Sequence, residues 1–395
     1  MKFVILLAIF ITGIGEFKYQ GMSLLEKDFL TYGSIFKKYS NLGQQFIAWE
    51  LNHIGEYESA LKEFEENTKR GYDDKQVVVD RFVDAIEFID SISKCNQAIF
   101  FNEAHHVSQH RMFVKTILPM LKANGYSHIG LESFSPSDTN ITERGYPIKS
   151  SGFYIHDPVF SELLRTALSN DLIIFGYDGG VRGQSPKDRE IVQAQNILKN
   201  VNFDYGDKVI ILGGFDHIRE DTFFSSWEKS MAGRFKEFSG INPVTFDQVQ
   251  FAERFNLYNT NPLYKKYDKK RSMIPLVENG LFVNPYSKKS FDYYLFHPKS
   301  IYTSGVPKWK RMSTKRELKI VEYSYGSSEE YIVKAYYLSE YLEQNCTTTH
   351  LIPADISSVR EGLNPPLILR PGKYYIEIVD GNGELVFTKT MEVKI

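Results

Sequence analysis

Four short apolar runs, each closed by polar or glycine residues and separated by helical patterns, leave this chain few folds to choose from. They are Ala98-Ile99-Phe100-Phe101, Ile129-Gly130-Leu131, Leu172-Ile173-Ile174-Phe175 and Val209-Ile210-Ile211-Leu212. Runs of this length, unbroken by the polar alternation of a half-exposed strand, suit strands covered on both faces. Their spacing leaves room for a helix between each pair, which is the pattern of stacked βαβ units. The reading is an α/β fold with a mostly parallel sheet: strands at 97–101, 128–132, 172–177 and 208–212, helices at 107–124, 157–170, 187–200 and 222–238. Pro243-Val244-Thr245-Phe246 adds a candidate fifth strand.

The residues just after each run matter for function, because ligands of open parallel sheets bind outside the carboxyl ends of the strands. The first run continues into Asn102-Glu103-Ala104-His105-His106, the second into Glu132, the third into Tyr177-Asp178, and the fourth into Gly213-Gly214-Phe215-Asp216-His217. Carboxylates and imidazoles therefore recur at successive strand ends. Glu103, His105, Glu132 and His217 are the candidate catalytic residues. A buried carboxylate needs a partner, so Arg111, Arg182 and Arg189, with Tyr177 and Asp178, are read either as binders of an anionic substrate group or as counter-ions. His106 and His110 lie four apart and would share a face of a helix starting near Val107. They are candidate metal ligands, or else a solvated face. No G-x-S-x-G, G-x-x-x-x-G-K-[ST] or H-E-x-x-H motif occurs, which disfavours ordinary serine hydrolases, P-loop enzymes and zincins.

The chain around this core divides into segments. Met1-Lys2 and the apolar stretch Phe3 to Ile11 end in Thr12-Gly13-Ile14-Gly15, the pattern of a secretory leader over 1–20. The stretch is short of the roughly 20 residues that span a bilayer, so the expectation is an exported protein, periplasmic or secreted, with no stable span once the leader is removed. No cysteine lies near the cleavage point to carry a lipid anchor. Residues 21–95 read as a helical cap with one unit of tetratricopeptide character around Trp49 to Phe64, too few for a solenoid, and a further helix from Asp74 to about Ser93. The core spans 96–250. Residues 251–315 lose periodicity and read as an irregular elaboration or lid. Residues 316–395 read as a small β-sandwich-like module, with strands over 318–325, 331–338 and 367–395 and a hairpin turn at Asp380-Gly381-Asn382-Gly383. Cys95 and Cys346 form either one disulfide or two separate buried thiols.

A formal charge of −2 over 395 residues, with basic clusters at Lys265-Lys266 and Lys269-Lys270-Arg271 broken by tyrosine and aspartate, makes nucleic acid an unsuitable partner. The partner expected is a small molecule or a peptide.

Asn102-Glu103-Ala104-His105 after a strand, Glu132 at the next strand end and Gly214-Phe215-Asp216-His217 later resemble the superfamily that joins erythromycin-esterase-like, ChaN-like and Tiki/TraB proteins. The similarity covers roughly residues 97 to 250. Asn102 stands where these proteins usually carry glycine. The resemblance implies a site built from Glu103, His105, Glu132 and His217, with chemistry that differs by branch. Erythromycin-esterase-like members open esters with His and Glu acting on water, Tiki members are metal-dependent proteases, and ChaN-like members bind haem. The leading expectation is an exported hydrolase, esterase-like or dependent on a divalent metal such as Zn or Mn. The alternative is a haem- or iron-binding protein without turnover, and a third is a protein-binding scaffold.

Overall fold

The computed structural model describes residues 30–394 except 42, 67–71, 73–74, 76–77, 180–182, 223–225, 268–269, 279, 287–289, 312–316 and 319–329. The leader read at 1–20 and most of the strand read at 318–325 lie outside these residues.

The apolar runs form the sheet expected of them. Strands β1 (Ala98–Glu103), β2 (His128–Leu131), β3 (Ile173–Gly176), β4 (Val209–Gly214), β5 (Val244–Asp247) and β6 (Tyr293–Tyr294) lie in the order β3-β2-β4-β1-β5-β6, every pair parallel. Alternation along the strands sends Ile99, Phe101, Ile129, Leu131, Ile210 and Leu212 to one core. Ala98, Phe100, Val209 and Ile211 go to the other. Both faces are dry because helices cover both.

Helices α5 (Ser108–Ala123) and α6 (Pro158–Ser169) supply Val114, Ile117, Leu118, Phe160, Leu163 and Leu164 to the first core. Helices α7 (Pro186–Asn200) and α8 (Met231–Ser239) supply Ala194, Ile197, Ala232 and Phe235 to the second. The helix expected over 222–238 begins only at Met231. Ahead of it the chain bridges Thr222 to Lys229 and lays Trp227 over the His217 ring.

The N-terminal helices are α1 (Tyr32–Tyr39), α2 (Gln44–His53) and α3 (Tyr57–Glu65). The helix expected from Asp74 is shorter: α4 is Ala85–Ser93, and Arg81–Asp84 before it is a strand paired antiparallel with Met273–Leu276. The segment read as an irregular elaboration thus contributes that strand and also β6.

At the C-terminus β7 (Glu330–Tyr337), β8 (Asp355–Arg360), β9 (Gly372–Asp380) and β10 (Leu385–Val393) form one antiparallel sheet ordered β8-β7-β9-β10. One face, with Ile332, Ile356 and Val379, packs on Ile35, Ile47, Ala48, Leu51 and Ala60 of the N-terminal helices. The other face, with Val333, Ala335, Ile376 and Ile378, packs on Leu367 and Leu369, and Leu369 belongs to a separate two-stranded sheet of Glu317–Leu318 with Ile368–Leu369. Gly55, at φ +82° between α2 and α3, lies so close to this sheet that a methyl group on it would come 2.8 Å from the Ile356 carbonyl. Cys95 and Cys346 are free and exposed, so neither the disulfide nor the buried-thiol reading describes them. No helix among the described residues is long and apolar enough to cross a membrane.

Candidate functional site

The carboxyl ends of β1, β2, β3 and β4 carry the residues that the sequence singled out, and a network of buried ions ties them together. At the end of β1, Asn102 acts as a brace. Its amide donates to the Phe215 carbonyl at 2.8 Å and to Asp247 Oδ1 at 2.6 Å, while its Oδ1 accepts from the Gln248 N–H at 2.6 Å. The Asn102 side chain therefore fastens β1 to the loops after β4 and β5.

Glu103 comes next, and Arg111 returns from α5 to meet it. Arg111 Nε donates to Glu103 Oε2 at 2.6 Å and Nη2 donates to Oε1 at 2.8 Å, a bidentate pair. Arg111 Nη1 reaches Asp157 Oδ2 at 2.9 Å, and Nη2 also donates to the His105 carbonyl at 3.1 Å. Glu103, Arg111 and Asp157 are all buried. Burial pushes the Glu103 carboxyl up, yet Arg111 and His105 outweigh it and hold the group at about 2. His105 Nδ1 lies 2.9 Å from Glu103 Oε1. Because an ionised carboxylate only accepts, Nδ1 carries the proton and Nε2 holds the basic lone pair. Tyr154 stacks on the ring at 4.1 Å and 14°, fixing its plane.

A second imidazole is anchored in the same manner. His217 Nδ1 lies 2.8 Å from Glu190 Oε1, and Glu190 Oε2 accepts from the Met231 N–H at 2.7 Å. Trp227 stacks on His217 at 4.8 Å and 13°. Burial lowers the His217 pKa, but Glu190 and Glu132 overcome that and raise it above the ordinary histidine value. Its Nε2 lies 3.4 Å from Glu132 Oε1 and 3.1 Å from Arg189 Nη1, so the neutral ring has a donor beside it and the charged ring an acceptor. Arg189 Nη2 pairs with Glu132 at 2.7 Å and with Asp178 at 2.9 Å. Burial raises the Glu132 pKa, and His217 and Arg189 together bring it down to about 2.

The two arms meet at Gly214. Its N–H donates to Glu132 Oε2 at 2.6 Å. A methyl group built on it would lie 2.6 Å from His105 Nε2 and 3.0 Å from Glu132 Oε2. His105 and Glu132 thus crowd one backbone position, where a glycine is what lets them approach, and His217 joins them through Glu132 Oε1.

The remaining sequence candidates take other places. Asp178 holds Arg189, and Arg111 holds Glu103, so both act as counter-ions. Tyr177 points away from the site: it is buried and donates to the Leu212 carbonyl at 3.1 Å behind Gly213. Arg182 lies outside the described residues. Helix α5 begins at Ser108, so His106 precedes it in a turn and does not share a helix face with His110. His106 stacks on Phe64 at 3.5 Å, and His110 Nδ1 accepts from the Ala104 N–H at 3.1 Å. Burial holds both well below the ordinary histidine pKa.

Among the described residues no group of three or more His, Cys, Asp or Glu side chains is arranged to hold a metal ion. The reason lies in the charge arrangement: Glu103 and Glu132, the carboxylates nearest the imidazoles, each already carry a guanidinium. A dication there would sit against Arg111 or Arg189, so the donor set does not fit one.

Sequence reasoning missed Glu190, Asp157, Tyr154 and Trp227. Glu190 had a local signal, since Arg189-Glu190 and Gln193 put charge and amide on the buried side of α7. Asp157 was legible as a helix N-cap, which it is, accepting from the Val159 N–H at 3.0 Å. Its second oxygen serves Arg111.

No protein-family model matches the chain, and no curated protein matches it. Among solved structures, the type III effector HopBA1 aligns at TM-score 0.30 and 17% identity, over 37% of this chain and 80% of that one. RRSP, a MARTX toxin effector domain from Vibrio vulnificus CMCP6, aligns at 0.31 and 14%, over 46% of this chain and 40% of that one. A structure described as bacterial protein toxins aligns at 0.33 and 14%, over 55% of this chain and 44% of that one. The chain spans less than half the length of the last two. Likeness at this level carries no argument about function.

Proposed function

We propose that this chain is a hydrolase that uses His105 to activate water against an ester or amide carbonyl. The observation that carries this reading is the pair of carboxylate-anchored imidazoles brought to one carboxylate, with His105 meeting Glu132 at Gly214 and His217 beside the other oxygen of Glu132. Glu103, kept ionised by Arg111, holds the proton on His105 Nδ1 and leaves Nε2 to take a proton from water. The water oxygen bonds to the carbonyl carbon as that proton moves. Arg189 and His217, both beside Glu132, would stabilise the negative charge that develops on the carbonyl oxygen. The C–O or C–N bond then breaks, and the proton on His105 Nε2 passes to the leaving group. None of the hydrogen bonds that either imidazole makes among the described residues goes to a serine, threonine or cysteine, which favours direct attack by water over a covalent intermediate.

We read the leader-like N-terminus as placing this activity in the periplasm or outside the cell. The test is hydrolysis of a panel of chromogenic esters and fluorogenic peptides by the purified protein and by His105→Ala. Turnover lost in the variant supports the proposal. A Soret shift on mixing with haem, with no turnover of any substrate, would replace it by the haem-binding alternative.

A further inference from the structure

A surface strip far along the chain from the site combines two features that rarely occur together without a partner. Phe255, Leu257 and Tyr258 are exposed at 48%, 64% and 64%, three large apolar side chains in four residues. They lie on and before the turn Leu257–Asn259, which is held rigid: Glu65 accepts from the Phe255 and Asn256 N–H groups at 2.8 and 3.1 Å, and Asn256 Oδ1 accepts from the Tyr258 N–H at 2.9 Å. Leu281 and Val283 are exposed at 47% and 77%. They flank Phe282, whose ring packs against Phe251 at 6.0 Å, and Asn284 Nδ2 donates to Gln250 Oε1 at 2.6 Å. The second apolar pair is thus pinned beside the segment that leads into the first. Isolated exposed apolar residues are ordinary, but a contiguous group marks an interaction surface.

Exposed basic residues lie on both sides of this strip. The turn runs straight into the helix Pro262–Lys265, which ends in exposed Lys265 and Lys266, followed by exposed Lys270 and Arg271. Beside the other pair, exposed Lys75 donates to the Pro285 carbonyl at 2.9 Å. In a chain of net charge −2, residues 254–271 hold six Lys or Arg against one Asp. Aromatic and aliphatic tips rimmed by lysines suit an interface where apolar groups enter a hydrocarbon boundary and ammonium groups meet phosphates.

We propose that this strip docks on an anionic phospholipid surface, with Phe255, Leu257 and Tyr258 inserting and Lys265 and Lys266 holding the headgroups. None of these residues is among those of the Glu103–His217 site, so the inference stands whatever reaction that site performs. Co-sedimentation of the whole protein with phosphatidylcholine vesicles, with and without phosphatidylserine, is the test. Binding to the phosphatidylserine vesicles alone, weakening as salt is raised, is expected. Each lysine near such a surface contributes about fivefold in partitioning, so Lys265→Glu/Lys266→Glu should lose at least that much per position. Phe255→Ser/Leu257→Ser/Tyr258→Ser should also lose binding, with an unchanged circular dichroism spectrum. Equal binding to both vesicle types, or binding unaffected by either set of substitutions, overturns the proposal. So does a failure to bind either vesicle, including the case where the strip proves to be a contact between copies by sedimentation velocity.

Discussion

Gly214 and His105 are in such close contact that the α-carbon of one leaves no room for a methyl group beside Nε2 of the other. Gly214 itself has an ordinary strand conformation, so alanine there is strained only by its neighbours. Gly214→Ala should therefore displace the His105 ring and Glu132 while leaving the sheet intact. Misplacement by about 1 Å at a reacting group costs roughly 10²-fold, and a loss of that size in turnover, with a thermal midpoint lowered by only a few degrees, is the expected outcome. Unchanged turnover would mean that His105 Nε2 is not where reaction occurs.

His105→Ala and His217→Ala should each remove most of the activity, because one loses the base and the other a stabiliser of the developing oxyanion. General-base catalysis contributes about 10² to 10⁴ in rate. Glu190→Gln keeps the shape but removes the charge that anchors His217, and should cost less than loss of the imidazole. Kinetics on a substrate found by the ester and peptide panel measures all three, with folding followed by circular dichroism.

The strand ends were legible in sequence because both halves of the signal are local. An apolar run says that a strand is buried, and the polar residue that stops it says where the crevice begins, so Glu103, His105, Glu132 and His217 could be named from neighbours alone. Partners across the sheet left no such mark. Tyr154 is one aromatic residue among 54 Phe and Tyr in this chain, and nothing near it or near Trp227 in sequence says that these two lie on imidazoles. The same limit governs the fold. Arg81–Asp84 reads as helix because its strand partner, Met273–Leu276, is about 190 residues away.

Arg111 pairs with Glu103 and Asp157 where all three are buried, so its removal leaves two buried carboxylates without their guanidinium. Arg111→Met should destabilise the protein by about 3–5 kcal/mol at neutral pH. The pH dependence comes from the depressed carboxyls. Glu103 and Glu132 titrate at about 2 in the folded protein, below the usual unfolded range near 4.3. Their stabilisation is complete above that range and is lost as pH falls toward 2. Urea denaturation from pH 7 to pH 3 should show stability falling steeply below about pH 4.5 in the native chain. The penalty in Arg111→Met should shrink over the same interval.

Asp292 has the opposite sign. Burial first, and then the neighbouring Glu220 carboxylate, raise its pKa to about 6. A carboxyl raised on folding stabilises below its unfolded pKa, and that contribution disappears as pH rises through the folded value. Above pH 6 the two carboxylates beside Thr245 repel each other. Asp292→Asn should accordingly stabilise the protein at pH 8, by on the order of 1 kcal/mol. At pH 5 the gain should be small. Equal effects at both pH values would show that Asp292 is ionised throughout.

Trp227 offers a direct view of the second imidazole, because its indole lies flat against the His217 ring. A protonated imidazole on an indole face is a cation–π contact, and it quenches indole emission where a neutral ring quenches less. Glu190 and Glu132 favour the protonated form of His217 over burial, which opposes it. In a Trp49→Phe/Trp309→Phe background Trp227 is the single remaining tryptophan of the three. Its emission should rise with pH through a midpoint above the ordinary histidine value of about 6.5. Glu190→Gln takes away the larger of the two opposing charges, so the midpoint should move down. His217→Asn should abolish the transition. A midpoint that stays put in Glu190→Gln would mean that Glu190 does not set the charge of His217, and the oxyanion-stabilising role given to that imidazole would then fall.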